Sequence, residues 1–331
     1  MSEALLSHAV AAAKRARRTA GRVRRRVEQI NTVPVLGARA RPRPALRPAH
    51  LSVLVGRTLN LAVPWPPGAT AVTEARLVLE RRGRRQSIPL EREPQPDGRL
   101  LLTATAPLRH ARHDDATAPG PRLDDGIWRL TVAATDADGQ ETRYGIAAPD
   151  VPASDGPTLP SPPSATSGAS FRPVRSVDGH AMLKVTGPRE HAELIRFDLR
   201  WDRVTVHGRL IAAGSPPDDY AVEAVRRGSG TILALTPAWD GDRFVFDVPL
   251  DAMTRGVATQ RMWDFQLRRG RTRLRIARRL TDVRRPKKVF RTPFRTIATE
   301  DGALLRVHAH LSAAGTFAVS CAPFPTTEDS A

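Results

Sequence analysis

Past residue 31 the chain alternates. Segments such as "LSVLVGRTLNLAV" (51–63), "ARLVLERR" (75–82), "GRLLLTATAPL" (98–108) and "IWRLTV" (127–132) place apolar residues at every second position. The same pattern returns in "RVTVHGRLI" (203–211), "RFVFDVPL" (243–250), "MWDFQL" (262–267), "LLRVHAHL" (304–311) and "TFAVSCA" (316–322). A period of two fits a strand with one buried face, and the punctuation by Gly, Pro and Asp fits hairpin turns. No later segment carries the 3.6-residue period of a long helix, apart from one turn within 250–259. The expected fold is all-β: two tandem Ig-like antiparallel β-sandwich modules preceded by a basic N-terminal α-helix.

The expected divisions follow composition. Residues 1–31 form a basic amphipathic helix, in which Leu6, Ala13, Ala20 and Val27 interleave with Ala9, Ala16, Val23 and Ile30 as one apolar stripe. Arg15, Arg18, Arg22 and Arg25 lie mostly off that stripe. Such a helix docks on a protein, self-associates through residues 3–31, or lies on an anionic membrane surface. Residues 32–48 read as a Pro/Arg linker and 49–148 as the first β module. Residues 149–173 read as a Pro/Ser-rich disordered linker with little apolar mass. The second module spans 174–322, and 323–331 is a disordered tail. "DADG" (136–139) reads as a tight turn.

The two modules resemble each other. Leu61 aligns with Val206 and Leu77 with Val222 at an offset of 145, and Trp128 aligns with Trp263 at an offset of 135. The drift implies a longer connection in the first copy, which "RHARHDDATAPGPRLDD" (109–125) supplies. Trp128 and Trp263 hold the same place in an alternating strand. Each is expected as a core tryptophan, the other role for such a ring being a carbohydrate-stacking platform.

The chain has 52 Lys+Arg against 34 Asp+Glu, a formal net charge of +18. Four of the 52 are lysines, so arginine dominates; with abundant alanine and proline this reflects a GC-rich genome and weakens arginine content as a functional signal. The distribution says more, because the excess sits in 1–47 and in 261–291. In the second block Arg271, Arg273 and Arg275 share the face of a strand opposite Leu274 and Ile276, and Arg278, Arg279, Arg284, Arg285, Lys287 and Lys288 follow. This is either a solvated face or an anion-binding ridge. The acidic partners it fits are an anionic lipid surface, nucleic acid or a phosphate-bearing polymer. Nucleic acid fits less well, since exposed aromatics do not interleave with the arginines and no recognition motif is present.

Catalytic signatures are sparse. The sequence holds no P-loop, no G-x-G-x-x-G after a strand, no G-x-S-x-G, no H-E-x-x-H and no paired C-x-x-C. His308 and His310 share a strand face without a third ligand nearby, and the acid and imidazole groups of 109–115 lie in a loop that the second copy lacks. Nothing calls for a metal or cofactor, and the chain is read as non-catalytic. With a single cysteine, Cys321, no internal disulfide forms. No apolar run of about 18 residues is present, and arginines interrupt the N-terminus, so the expectation is a cytoplasmic protein, peripheral at the inner membrane face.

One stretch carries a family resemblance. "RMWDFQLRRGRTRLRIARRLTDVRRPKKVF" (261–290) resembles a pattern around actinobacterial CDP-glycerol glycerophosphotransferase-like enzymes and related cell-wall polymer glycosyltransferases. There a W-D-L strand precedes an R-L hairpin ending in D-V, then a short basic segment. Trp263, Asp264, Leu267, Arg268, Leu274, Arg275, Ile276, Ala277, Arg278, Leu280, Asp282, Val283, Lys287, Lys288 and Val289 carry it here. The resemblance covers about 190–321, and more faintly the first module, and implies an accessory β-sandwich region of teichoic-acid-like polymer synthesis, with an anionic glycopolymer or a transferase as partner. The transferase core is missing, so none of its catalytic residues carries over. The alternative it leaves is a diverged glycosyl- or glycerophosphotransferase-related enzyme of cell-wall polysaccharide synthesis.

Overall fold

The computed structural model describes residues 44–67, 71–149, 156–255, 259–299 and 302–324, with the backbone of Thr32–Val33. These residues are all-β, with short helical turns at Pro217–Asp219, Leu250–Thr254 and Pro286–Val289. The basic helix expected over 1–31 lies outside the described residues, as do Arg15, Arg18, Arg22 and Arg25 and the tail from 325 onward. No helix among the described residues is long and apolar enough to cross a membrane.

The chain forms two compact units. Unit 1 takes in the described residues through Arg109, those of 117–149, and Phe171–Thr186. Its four-stranded sheet runs in the order His50–Leu54, Thr58–Pro64, Leu100–Pro107, Glu91–Pro94. Alternation sets its buried face: Leu59, Leu61 and Val63 are 0–2% exposed, and the residues between them are not buried. The second sheet centres on Gly126–Asp136. One edge of that strand pairs with Val72–Arg81. The other edge is shared, with Glu141–Ile146 against Thr131–Thr135 and Ala181–Thr186 against Gly126–Arg129. Two parallel additions come from the expected Pro/Arg linker, where Thr32–Val33 pairs with Arg175–Ser176 and Ala45–Leu46 with Gly145–Ile146.

Unit 2 takes in 110–116, 156–170 and 187–324 of the described residues and repeats this pairing scheme. Its described strands form one continuous 11-stranded sheet, of which one part runs in the order His191–Leu199, Val204–Ile211, Arg243–Asp247, Ala238–Asp240. The other part centres on Arg261–Arg269, paired on one edge with Ala221–Arg226. The other edge is shared by Thr272–Ala277 and Phe317–Pro323. The two parts of the sheet enclose one core that includes Val206, Phe246, Trp263, Phe265, Val307 and Phe317. Aromatic rings run through it: Phe246 lies 5.8 Å from Phe265 and Phe265 lies 5.2 Å from Phe317, within the range of favourable ring pairs. Thr272–Ala277 joins the two parts. Its first residues pair antiparallel with Arg261–Arg269, and Ile276–Ala277 then pair parallel with Ala192–Glu193.

The pairing scheme moves the division between units away from residue 173. Trp128 pairs with Leu183 in unit 1, as Trp263 pairs with Val319 in unit 2. The strands through Thr186 therefore complete unit 1 in the way that Leu304–Leu311 and Phe317–Pro323 complete unit 2. The Pro/Ser-rich stretch is also ordered over 156–173, contrary to the disordered linker expected there. Ser164, Ala169 and Phe171 are 0% exposed. Hydrogen bonds supply what apolar mass does not: Ser164 N donates to Ala169 O, Gly168 N to Ser164 O, and Arg209 Nη2 to the carbonyls of Ala165 and Thr166.

Candidate anion-binding face

Inward Trp263, Phe265 and Leu267, each at most 2% exposed, turn Asp264, Gln266 and Arg268 outward. Cross-strand register extends this outer face. Glu223, Gln266 and Arg275 stand in one row, and Ala221, Arg268 and Arg273 in the next. Arg268 and Arg273 thus sit directly opposite, a like-charge pair that destabilises a sheet unless it is compensated. Glu223, with a side chain only 3% exposed, compensates: its carboxylate accepts from Arg268 Nη1 and from Gln266 Nε2, each at 2.8 Å. Burial alone pushes the Glu223 carboxyl up. The hydrogen bonds from Arg268 and Gln266 and the charges of Arg268 and Arg273 outweigh that and hold it below its ordinary value.

The expected nine-residue ridge divides. Arg273 and Arg275 lie exposed on the strand, but Arg271 does not share their face, because the strand begins at Thr272. Gly270, at φ 53°, and Arg271 form the two-residue turn, which the alternation alone did not reveal. Arg278 places its guanidinium 4.3 Å from the Phe290 ring centre and so packs within the fold. Arg279 is exposed, but its backbone is fixed: Arg279 N and Leu280 N donate to Glu193, which is 6% exposed and has His191 Nε2 3.3 Å away. Arg284 N donates to Pro157 O. Lys287 and Lys288 project from the turn Pro286–Val289, beside exposed Arg285. Among the described residues no carboxylate forms an ion pair with Arg275, Arg279, Arg285, Lys287 or Lys288. These groups lie on a strand face and on the segment that follows it.

The other sequence candidates resolve into structure. Trp128 and Trp263 are 1% and 2% exposed, which leaves neither ring a face for a ligand. Trp128 Nε1 donates to Asp124 O at 2.9 Å. His308 and His310 stack at 4.6 Å, His308 Nε2 lies 2.9 Å from Thr292 O, and burial pushes the His310 imidazole down. His110 is 1% exposed, and Asp114 accepts its backbone N–H. No cluster of three metal-ligating side chains occurs among the described residues. Asp136 accepts from the backbone of Asp138 and Gln140, the turn expected at 136–139.

A cleft on the part of the unit 2 sheet formed by His191–Leu199, Val204–Ile211 and Arg243–Asp247 went unread in the sequence. It encloses about 440 Å³ and is lined by Arg196, Asp198, Arg200, Arg203, Thr205, His207 and Asp247, among others. Trp201, 77% exposed, sits in the turn whose ends, Arg200 and Arg203, line it. The available signal was a tryptophan out of register, in the polar turn "RWDR" between two alternating strands.

No protein-family model matches the chain, and no curated protein matches it. Among solved structures, a fragment of S. aureus TarS (217–571) is similar at 9% identity and a TM-score of 0.29, covering 70% of this chain and 61% of that one. A longer S. aureus TarS structure gives 8% identity and a TM-score of 0.29, over 70% of this chain and 38% of that one. A two-domain fibronectin type III segment from chicken tenascin gives 13% identity and a TM-score of 0.21, over 70% and 94%. The chain thus spans less than two thirds of either TarS structure, and likeness at these TM-scores decides neither fold nor activity.

Proposed function

We propose that this chain is a non-catalytic binding protein of surface glycopolymer synthesis, holding a phosphate-bearing, teichoic-acid-like polymer on the cationic face and edge of unit 2. The observation that carries this reading is the set of exposed cations, Arg275, Arg279, Arg285, Lys287 and Lys288, that no carboxylate among the described residues pairs with. Elsewhere in unit 2 several arginines are paired, as Arg227 is with Asp264 and Arg203 with Asp202. A phosphodiester chain presents repeated charges to an extended edge, and arginine forks bind such oxygens in pairs. The face needs no pocket for this, because a polyanion is held by summed charge and counterion release.

The resemblance of 261–290 to the transferase-associated pattern supports the same pathway and a location at the cytoplasmic membrane face, where residues 1–31 would engage an anionic lipid surface or a transferase partner. Retention of the full chain by poly(glycerol phosphate), weakened by salt, tests the reading. Retention that salt leaves unchanged, or none at low salt, overturns it. Turnover of a nucleotide-linked sugar or glycerol donor by the purified chain would overturn its non-catalytic part and favour the diverged-transferase alternative.

A further inference from the structure

We propose that the edge strand Ile232–Leu235 of unit 2 pairs antiparallel with the same strand of a second copy of this chain. The pairing does not rest on the anion-binding reading.

Ile232–Leu235 pairs along one side with Ala221–Arg226, and among the described residues no strand pairs with its other side. Register fixes which backbone groups that open side presents. Arg226 N donates to Thr231 O, which makes Arg226 and Thr231 a hydrogen-bonded pair. Antiparallel pairs alternate, so Leu233 and Leu235 also turn their amides toward Ala221–Arg226, and Ile232 and Ala234 turn theirs away. Among the described residues, nothing outside these two strands donates to or accepts from the backbone of Ile232 or Ala234. The side chains follow the same period. Leu233 and Leu235 pack against the core, while Ala234 and Ile232, the latter 44% exposed, face solvent.

The strand lacks the charges and prolines that guard such an edge. Its counterpart in unit 1 is Arg84–Pro89, which pairs with Val72–Arg81 as Ile232–Leu235 pairs with Ala221–Arg226. That edge carries Arg84, Arg85 and a terminal Pro89. At the two ends of the unit 2 sheet, Ala238–Asp240 closes on a carboxylate, and Arg295–Ala298 carries an arginine and gives its Ala298 amide to the Trp201 carbonyl. A second copy matches the open edge. A two-fold axis through Leu233 sets Ile232 of each copy opposite Ala234 of the other, each pair exchanging N–H and C=O. Leu233 then meets its own copy in the close, non-hydrogen-bonded position and is covered. Because the strand bears no charge, this register opposes no like charges. The axis stands perpendicular to the sheet, so the cationic faces of both copies lie on the same side of one continuous sheet. The net charge of +18 on each copy resists association, and salt screens that repulsion.

The test is sedimentation velocity of the full chain from about 5 to 500 μM, at about 50 and 500 mM salt. We expect a monomer–dimer equilibrium with a Kd between about 1 and 100 μM, tightened by salt. Ile232→Lys/Ala234→Lys alters two exposed positions and sets lysine opposite lysine in the paired register. It should raise the Kd at least about tenfold and leave the urea midpoint of the dilute chain unchanged. In the wild-type chain, amide exchange at Ile232 and Ala234 should slow as concentration rises, a readout that needs no variant. Leu233 and Leu235, already bonded to the neighbouring strand, should hold their rates. A chain that stays monomeric at both salt concentrations overturns the proposal. So does a dimer indifferent to the double lysine change, or exchange at Ile232 and Ala234 that ignores concentration. Failure here is distinguishable from failure of the cationic face, because Arg275→Glu should weaken retention by poly(glycerol phosphate) and leave the dimer in place.

Discussion

Arg268 and Glu223 form a half-buried ion pair: Nη1 meets Oε1 at 2.8 Å, with the arginine side chain 47% exposed and the carboxylate 3% exposed. Because Arg273 stands opposite Arg268 in the register, this carboxylate is what allows two arginines to face each other across neighbouring strands. Glu223→Gln leaves that repulsion uncompensated. We expect a loss of about 1–2 kcal/mol near pH 7, discounted for the water around Arg268. The Glu223 carboxyl is held below its ordinary value of 4.5 in the folded state. Its contribution is therefore fully present above that pH and is lost as pH falls through the lower, folded value. Urea unfolding should show wild type and variant converging in acid, and a gap that persists there would contradict this role.

Glu193 serves the backbone rather than a cation. It accepts from the N–H groups of Arg279 and Leu280 where the chain leaves the sheet and enters its basic edge. Glu193→Ala leaves two donors unpaired and should destabilise unit 2 by about 2–3 kcal/mol. Hydrogen exchange at Arg279 and Leu280 should accelerate before the rest of the unit responds. Glu193→Gln, which keeps one acceptor oxygen, should cost less.

Cys321 reports the integrity of the unit 2 core. It is 0% exposed, and burial pushes its thiol up to about 11. At pH 8 the native protein should resist iodoacetamide and the urea-unfolded protein should react, since only a thiolate that the reagent can reach attacks it. Rapid native labelling would show that the Leu304–Leu311/Phe317–Pro323 hairpin opens readily.

Much of the fold was legible in the sequence because one strong signal, period-two alternation, governs it. The same signal aligned Trp128 with Trp263, which occupy matching places in the two pairing schemes. Composition misled at 156–173, where side chains with little apolar mass are held by hydrogen bonds that composition does not register. It also hid the end of unit 1, because the return of Ala181–Thr186 to Gly126–Asp136 is a long-range pairing with no local signature. At the cationic face, alternation placed Arg273 and Arg275 but missed the turn that removes Arg271. Trp201 was passed over for the opposite reason: it breaks the alternation, and a residue out of pattern is one that the core does not need.

The most direct measurement of the central claim is the salt dependence of binding to poly(glycerol phosphate), compared between the wild-type chain and Arg275→Glu/Lys287→Glu/Lys288→Glu. Counterion release by about five cations should lower wild-type affinity on the order of a few hundredfold between about 50 and 200 mM salt. The triple variant, folded by circular dichroism, should bind far more weakly at low salt, with a log–log slope reduced by about three. A variant that binds as tightly as wild type, with the same slope, would contradict the assignment of this face to an anionic polymer.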